Sequence, residues 1–335
     1  MTQKLFFLGA GFSKAVNNNY PLMDALTTKV LGRIQKGSVR EHLEEIPSKV
    51  KQDIESLLTY LGTDFPWKTD TTRYANKALY SAILHEISAL FLELETSEEY
   101  IHDFKPSEVI VSFAKHVLQT PKEYNFLTLN YDIFLEHLFG LSSQWKVDYN
   151  DLYKYPMSNL RIRIADSSSI TIRSPYPQAP AILKMHGSVN WFWAKTNPSD
   201  DIYFSDGTEN KDFDNLVMGL EPYIIPPALD KNAFYNHIAI RSLWQQAERL
   251  LKNADEIYII GFSFPQTDLS VRYLFQSALR TSKPNIYVIN RAKEDELRPV
   301  YQDVLQGQCV DYKYTGSDDV VERFIREVIL TEGHK

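Results

Sequence analysis

The stretch Gly9-Ala10-Gly11-Phe12-Ser13 places two glycines and a hydroxyl directly after a short apolar run, Leu5 to Leu8. Glycine tolerates φ > 0 and lacks the Cβ that would block a ligand, so the N–H groups of such a turn can converge on a phosphate. A full dinucleotide fingerprint asks for a third glycine three residues after the second, where this chain has Lys14. The plain alternative is a tight strand-to-helix turn. Four more stretches end apolar runs in the same manner: Thr128-Leu129-Asn130-Tyr131-Asp132, His186-Gly187-Ser188, Gly261-Phe262-Ser263 and Asn290.

The elements that must position these residues follow from periodicity. Short, mainly apolar runs at Leu5–Leu8, Tyr124–Leu129, Ala181–Met185, Ile257–Ile260 and Ile286–Ile289 have the length of strands buried on both faces. A last strand is expected near Cys309–Tyr312. Between the first two strands, from Asp24 to about residue 120, the pattern is helical. Ala75, Ala78, Leu79, Ala82, Ile83, Ile87, Leu90, Phe91 and Leu94 recur at three- and four-residue steps. Ser107 is placed to cap a further helix, and Gly62 to Thr72 is a polar break. Asp132 opens a helix from Ile133 to Phe139 that Gly140 is expected to stop. Alternation across 160–173 around Asp166-Ser-Ser168 predicts a hairpin. Ile224-Ile225-Pro226-Pro227 reads as extended, and Thr267 or Asp268 as the cap of the helix that follows.

Strands alternating with helices predict an α/β fold: a Rossmann-like parallel sheet flanked by helices, with a large helical insertion after the first strand. Residues 1–23 and 121–335 would form the core, with 141–180 as a hairpin-containing insertion and 24–120 as the helical one. In such sheets ligands sit at the carboxyl ends of the strands, and all five polar stretches fall there.

Composition narrows the function classes. The 335 residues are 44% hydrophobic and 24% charged, with 20 Tyr and 18 Phe, which describes a folded globular chain. A net charge of −7 provides no global field for nucleic acid, and no direct nucleic-acid binding is expected. Cys309 is the only cysteine, so neither an internal disulfide nor a four-cysteine zinc site can form. No window reaches 18 apolar residues, and the run after Lys4 is too short for a signal-peptide core. The expected location is cytoplasmic, without membrane association.

The five stretches, in this order, resemble the sirtuin superfamily. The glycine-alanine-glycine-x-serine opening, the threonine-x-asparagine-x-aspartate motif, the histidine-glycine pair, the glycine-x-serine turn and the late asparagine all have counterparts. Two features separate the chain from the protein deacylases: it lacks the zinc cysteines, and Tyr20-Pro21-Leu22-Met23-Asp24 replaces their arginine-containing loop. With Pro226-Pro227 and Ser263-Phe-Pro265-Gln-Thr-Asp268, it looks like the zinc-less bacterial branch associated with anti-phage defence, whose members hydrolyse NAD.

The resemblance implies an NAD+ hydrolase releasing nicotinamide and ADP-ribose, with NAD as substrate and no metal. Cleaving the nicotinamide–ribose bond builds oxocarbenium-like charge on the ribose. Nicotinamide leaves neutral, so the site needs ribose orientation, a placed water and a proton acceptor. His186 is the candidate base, because histidine titrates near neutrality. Asn130 would hold a ribose hydroxyl or the water, or else serve only its own turn. Asp132 would bind ribose or the nicotinamide amide, or merely cap its helix. Gly9, Ala10, Gly11 and Ser13 would hold the pyrophosphate beside Thr128, supported by Gly261 and Ser263. Asn290 would contact the adenosine ribose or form a strand-end turn. Ser263 lacks the second glycine of a nucleophile elbow. Trp191 and Trp193 read as core. A homo-oligomer and a separately encoded regulatory partner, for example an ATPase, are expected, because the chain ends soon after its last amphipathic helix. The alternatives are a non-catalytic NAD or ADP-ribose sensor, and an NAD-dependent deacylase or ADP-ribosyltransferase.

Overall fold

The computed structural model describes residues 2–35, 37–96, 105–142, 149–153, 158–159, 179–193, 202–204, 221–226 and 235–332. Its ten described strands are β1 (Lys4–Leu8), β2 (Tyr124–Thr128), β3 (Ser158–Asn159), β4 (Ala181–Lys184), β5 (Gly187–Trp193), β6 (Tyr203–Phe204), β7 (Glu221–Ile224), β8 (Glu256–Ile260), β9 (Asn285–Asn290) and β10 (Val310–Thr315). Six of them form one parallel sheet in the order β10-β9-β8-β1-β2-β4. From β1 the chain builds β2 and β4 on one side, then crosses back to β8, β9 and β10 on the other. The boundary between β1 and β8 is therefore the topological switch point, where an open α/β sheet leaves a crevice at its strand ends.

All five residues of β1 are buried. Because successive side chains point to opposite faces, Phe6 and Phe7 anchor the two layers separately. Phe6 packs on Phe113, Tyr124, Phe126 and Tyr258, with ring centroids 4.9–5.9 Å away. Phe7 packs on Phe262 and Phe275 at 5.1 and 5.0 Å. Loss of either ring would cost about 3–5 kcal/mol by the usual penalty for emptying an aromatic core position.

The stretch after β1 is helical as expected: Met23–Arg33, Ser38–Glu45, Ile54–Gly62 and the long Asp70–Thr96, followed by Glu108–Gln119. Ser107 caps the last of these through Ile110 N–H at 3.4 Å. That helix places Phe113 against Phe6 and Phe126, so it covers the sheet itself.

Three differences from the sequence reading stand out. Gly140 does not stop its helix, which runs Phe134–Ser142; a glycine inside a helix costs only about 1 kcal/mol, and burial of Leu138 and Phe139 outweighs it. A second, four-stranded sheet in the order β3-β6-β5-β7 occupies a region read as mostly loop. The closing helix passes through a π-turn at Ile325–Ile329. Asp268 stands at the N-cap position of Leu269–Ala278, but its side chain makes no capping hydrogen bond there. The hairpin expected at 160–173 and Pro227 lie outside the described residues.

Candidate functional site

Five neighbouring strands, β9-β8-β1-β2-β4, carry the five polar stretches at their carboxyl ends. Their order in sequence is different, so the sheet is what assembles them.

At the centre is a hydrogen-bonded chain. Asn130 Nδ2 donates to Gly9 O and to Ser13 Oγ, both at 3.0 Å. The Gly9 carbonyl can only accept, so it fixes which end of the amide faces it, and Oδ1 is turned elsewhere. Ser13 Oγ in turn donates to Asp132 Oδ2 at 2.8 Å. Asp132 Oδ1 accepts from Phe134 N–H at 3.3 Å, capping the following helix. Thr128 Oγ1 donates to Leu8 O at 3.1 Å and accepts from Asn130 N–H at 3.0 Å, which joins the ends of β1 and β2.

The Asp132 carboxyl is buried, and its pKa is pushed up from 3.8 to about 7. Burial is the main cause, because it penalises the charged form; the neighbouring Glu95 carboxylate adds to it. Lys184 and the Ser13 hydroxyl pull in the opposite direction, and Glu136 raises it further. Lys184 is itself fully buried, donating to the Asp132 carbonyl and to Glu136 Oε1, the latter at 3.0 Å. Tyr153 OH also donates to Glu136 Oε1, at 2.6 Å.

The glycines serve close packing more than unusual dihedrals. Gly9 has φ −102°, and Gly11 lies inside the helix Ala10–Val16. A Cβ on Gly9 would sit 2.5 Å from Gly261 O, and one on Gly11 would sit 2.7 Å from Gly261 Cα. Gly261 does need its positive φ of +64°. The N–H groups of Gly9, Gly11 and Phe12 donate to the carbonyls of Ile260, Gly261 and Gly9. Ala10, exposed at the first helical position, occupies a place where helices leave N–H groups without intrahelical partners.

Ser263 is exposed between buried Phe262 and Phe264. Phe264 adopts φ +50°, a strained value for a bulky residue. Its ring is held by Phe262, Phe275 and Tyr301, and its carbonyl accepts from Arg272 Nη1 at 2.8 Å. Asn290 uses its amide within the protein, donating to Phe262 O and accepting from Ala292 N–H, both at 3.0 Å.

His186 lies in the turn between β4 and β5 and is 4% exposed. Ile225 N–H donates to its carbonyl at 2.8 Å, and Trp244 covers its ring with centroids 6.4 Å apart. Gly187 permits the turn with φ +78°, since a Cβ there would lie 2.1 Å from Tyr223 O. Trp191 is fully buried, as a core residue should be.

Sequence reasoning missed Glu95, Tyr20, Glu136 and Lys184. Tyr20 OH donates to Glu95 Oε1, which also accepts from Ile133 N–H at 3.2 Å. A signal existed: Glu95 continues the four-residue spacing of Leu79, Ile83, Ile87 and Phe91, so it is a charge in phase with a buried stripe. Among the described residues no group of three or more His, Cys, Asp or Glu is arranged to hold a metal.

A family described as the SIR2-like domain matches residues 125–312, more than half of the chain. No curated protein matches in sequence. Among solved structures, a Sir2 homolog–NAD complex is 13% identical with a TM-score of 0.45, over 98% of this chain and 91% of that one. A Sir2 in complex with an inhibitor, 2′-O-acetyl-ADP-ribose and a deacetylated peptide is 13% identical with a TM-score of 0.43, over 99% and 95%. Sir2Tm bound to a propionylated peptide is 10% identical with a TM-score of 0.43, over 99% and 94%.

Proposed function

The chain belongs to the SIR2-like family, and from that premise we propose that it is an NAD+ glycohydrolase, cleaving the nicotinamide–ribose bond to nicotinamide and ADP-ribose. The observation that carries this reading is the chain Asn130–Ser13–Asp132 linking the ends of β1 and β2, with His186 at the adjoining end of β4.

Asn130 has its nitrogen committed to Gly9 and Ser13, which leaves Oδ1 as the end that accepts a ribose hydroxyl or an attacking water. An amide held by two bonds costs little to order when the sugar arrives, which is the contribution orientation makes to such a reaction. His186 takes the proton from that water or hydroxyl as charge develops on the ribose. Ala10 and Ser263, exposed on adjacent strand ends, meet the pyrophosphate, while Gly9, Gly11 and Gly261 keep the backbones close enough for both to reach it. Thr128 and Asp132 hold the Asn130 loop from beneath, and Asn290 shapes the turn beside the adenosine ribose. The wider role we assign is that of a regulated effector of bacterial anti-phage defence acting in the cytoplasm. It would deplete NAD when a partner or a second copy of the chain releases it.

The test is incubation of the purified protein with NAD, alone and with extract of phage-infected cells, with products resolved by chromatography. Nicotinamide and ADP-ribose should appear in equal amounts. Asn130→Ala and His186→Ala should each lower the rate by about 10²-fold or more while keeping the wild-type fold. Retention of activity by either variant overturns its role. Tight binding with NAD recovered intact, partners included, would make the protein a sensor. Product from an acetylated peptide would make it a deacylase.

A further inference from the structure

The site contains a carboxylate that the hydrolytic reading leaves unused, and it comes from the inserted helices. Glu95 is the penultimate residue of the helix Asp70–Thr96 and is 1% exposed. Burying a carboxylate so deeply is costly unless it is paired and hydrogen-bonded. Its partners come from two separate segments, one at Tyr20 and one at Ile133–His137. Tyr20 OH, just beyond the glycine turn and its helix, donates to Oε1. Ile133 N–H, next to Asp132, donates to the same oxygen at 3.2 Å. His137 Nδ1, on the helix Phe134–Ser142, lies 3.3 Å from Oε2. One turn earlier, Phe91 packs edge-on against Tyr131 with centroids 6.1 Å apart.

We propose that Glu95 is a positioning residue of the NAD site, holding the Asn130–Ile133 loop in its binding shape from the helical insertion. This rests on the hydrolase reading of the same site. An apolar side chain would fill the space equally well. What a carboxylate adds is an acceptor for Ile133 N–H, which stands ahead of a helix start, and a negative charge beside Asp132. A shift of the long helix would displace both at once, so the insertion is where a partner can reach the reaction centre without touching NAD.

The groups facing Asp132 are Ser13 from the helix after β1, Glu95 from the insertion, and Lys184 from β4. Glu136 comes from the helix after Asp132, with Tyr153 bound to it, and His137 of the same helix faces Glu95. Neutralising Glu95 removes a charge that disfavours ionised Asp132, so Asp132 then loses its proton at lower pH.

The experiment compares Glu95→Ala and Glu95→Gln with the wild-type full chain. Hydrogen exchange is read over residues 129–137, and ADP-ribose binding is read by calorimetry from acid to alkaline pH. In Glu95→Ala the loop amides should exchange about tenfold faster, with sheet protection unchanged. ADP-ribose affinity should fall about tenfold through lost preorganisation. Glu95→Gln keeps an acceptor but no charge. It should restore protection and affinity while moving the pH midpoint of binding downward, a shift that simple space-filling would not produce. Wild-type exchange and affinity in Glu95→Ala overturn the proposal and leave the site reading intact. If Glu95→Ala does not fold, an unmoved midpoint in Glu95→Gln overturns it equally. A wild-type protein that binds neither NAD nor ADP-ribose removes the site reading, and the positioning role with it.

Discussion

Asp132 is the residue whose ionisation most directly links stability to the proposed chemistry. Its carboxyl releases its proton near pH 7 in the folded chain against an ordinary 3.8, so between those values the folded state holds a proton that the unfolded state has lost. Stability from this group is therefore fully present below about pH 4 and is lost as the pH rises through about 7. Asp132→Asn, permanently neutral, should melt close to wild type at pH 4 and above it at pH 8, by about 1–3 kcal/mol. Thermal melts across that range check it, and a gap independent of pH would sink the argument. The sequence identified Asp132 as polar and near the site, with ribose binding and helix capping both open. The bond to Phe134 N–H supplies the capping, and the link to Ser13 ties it to Asn130.

Among the elements, the contact between the β1 and β8 turns is the least forgiving. Gly9, Gly11 and Gly261 meet backbone to backbone; a Cβ on Gly261 would lie 2.3 Å from Phe12 N and 2.4 Å from Gly11 C. Those atoms cannot rotate away as a side chain can. Gly261→Ala should cost at least about 3 kcal/mol, combining that clash with the positive φ. Gly32 is the control, because it lies within the helix Met23–Arg33 with nothing within 4 Å of a new Cβ. Gly32→Ala should stabilise by about 0.5–1 kcal/mol. Chemical denaturation of both variants tests the pair. The glycines are visible in the sequence, where they suggest room for phosphate. What they make room for first is each other, which no spacing along the chain reveals, since Gly261 arrives from a strand 250 residues after Gly11.

At the scale of the whole molecule, the site is a property of strand order. A ligand spanning the ends of β9 to β4, as proposed, would tie together segments from both halves of the chain. ADP-ribose at 100 times its dissociation constant should therefore raise unfolding free energy by about 2.7 kcal/mol, read as a concentration-dependent rise in melting temperature. Chelators should change neither melting nor NAD cleavage, in keeping with a chain of one cysteine. A chelator-sensitive activity would require a metal in the mechanism.

By itself the sequence determined the strands of the large sheet, because short, mainly apolar runs bounded by turn residues have few other ways to satisfy burial. It also placed the polar residues at the ends of those strands, since a run and its terminus are adjacent in the chain. It could not show the small sheet around Trp191, where the strand β5 finds its partners in short β6 and β7 from separate later segments. Nor could it show that Glu95 reaches Ile133, or that Lys184 lies buried beneath Asp132. Those contacts join residues far apart in sequence, and only closure of the tertiary structure puts a buried charge opposite the group that makes its burial tolerable.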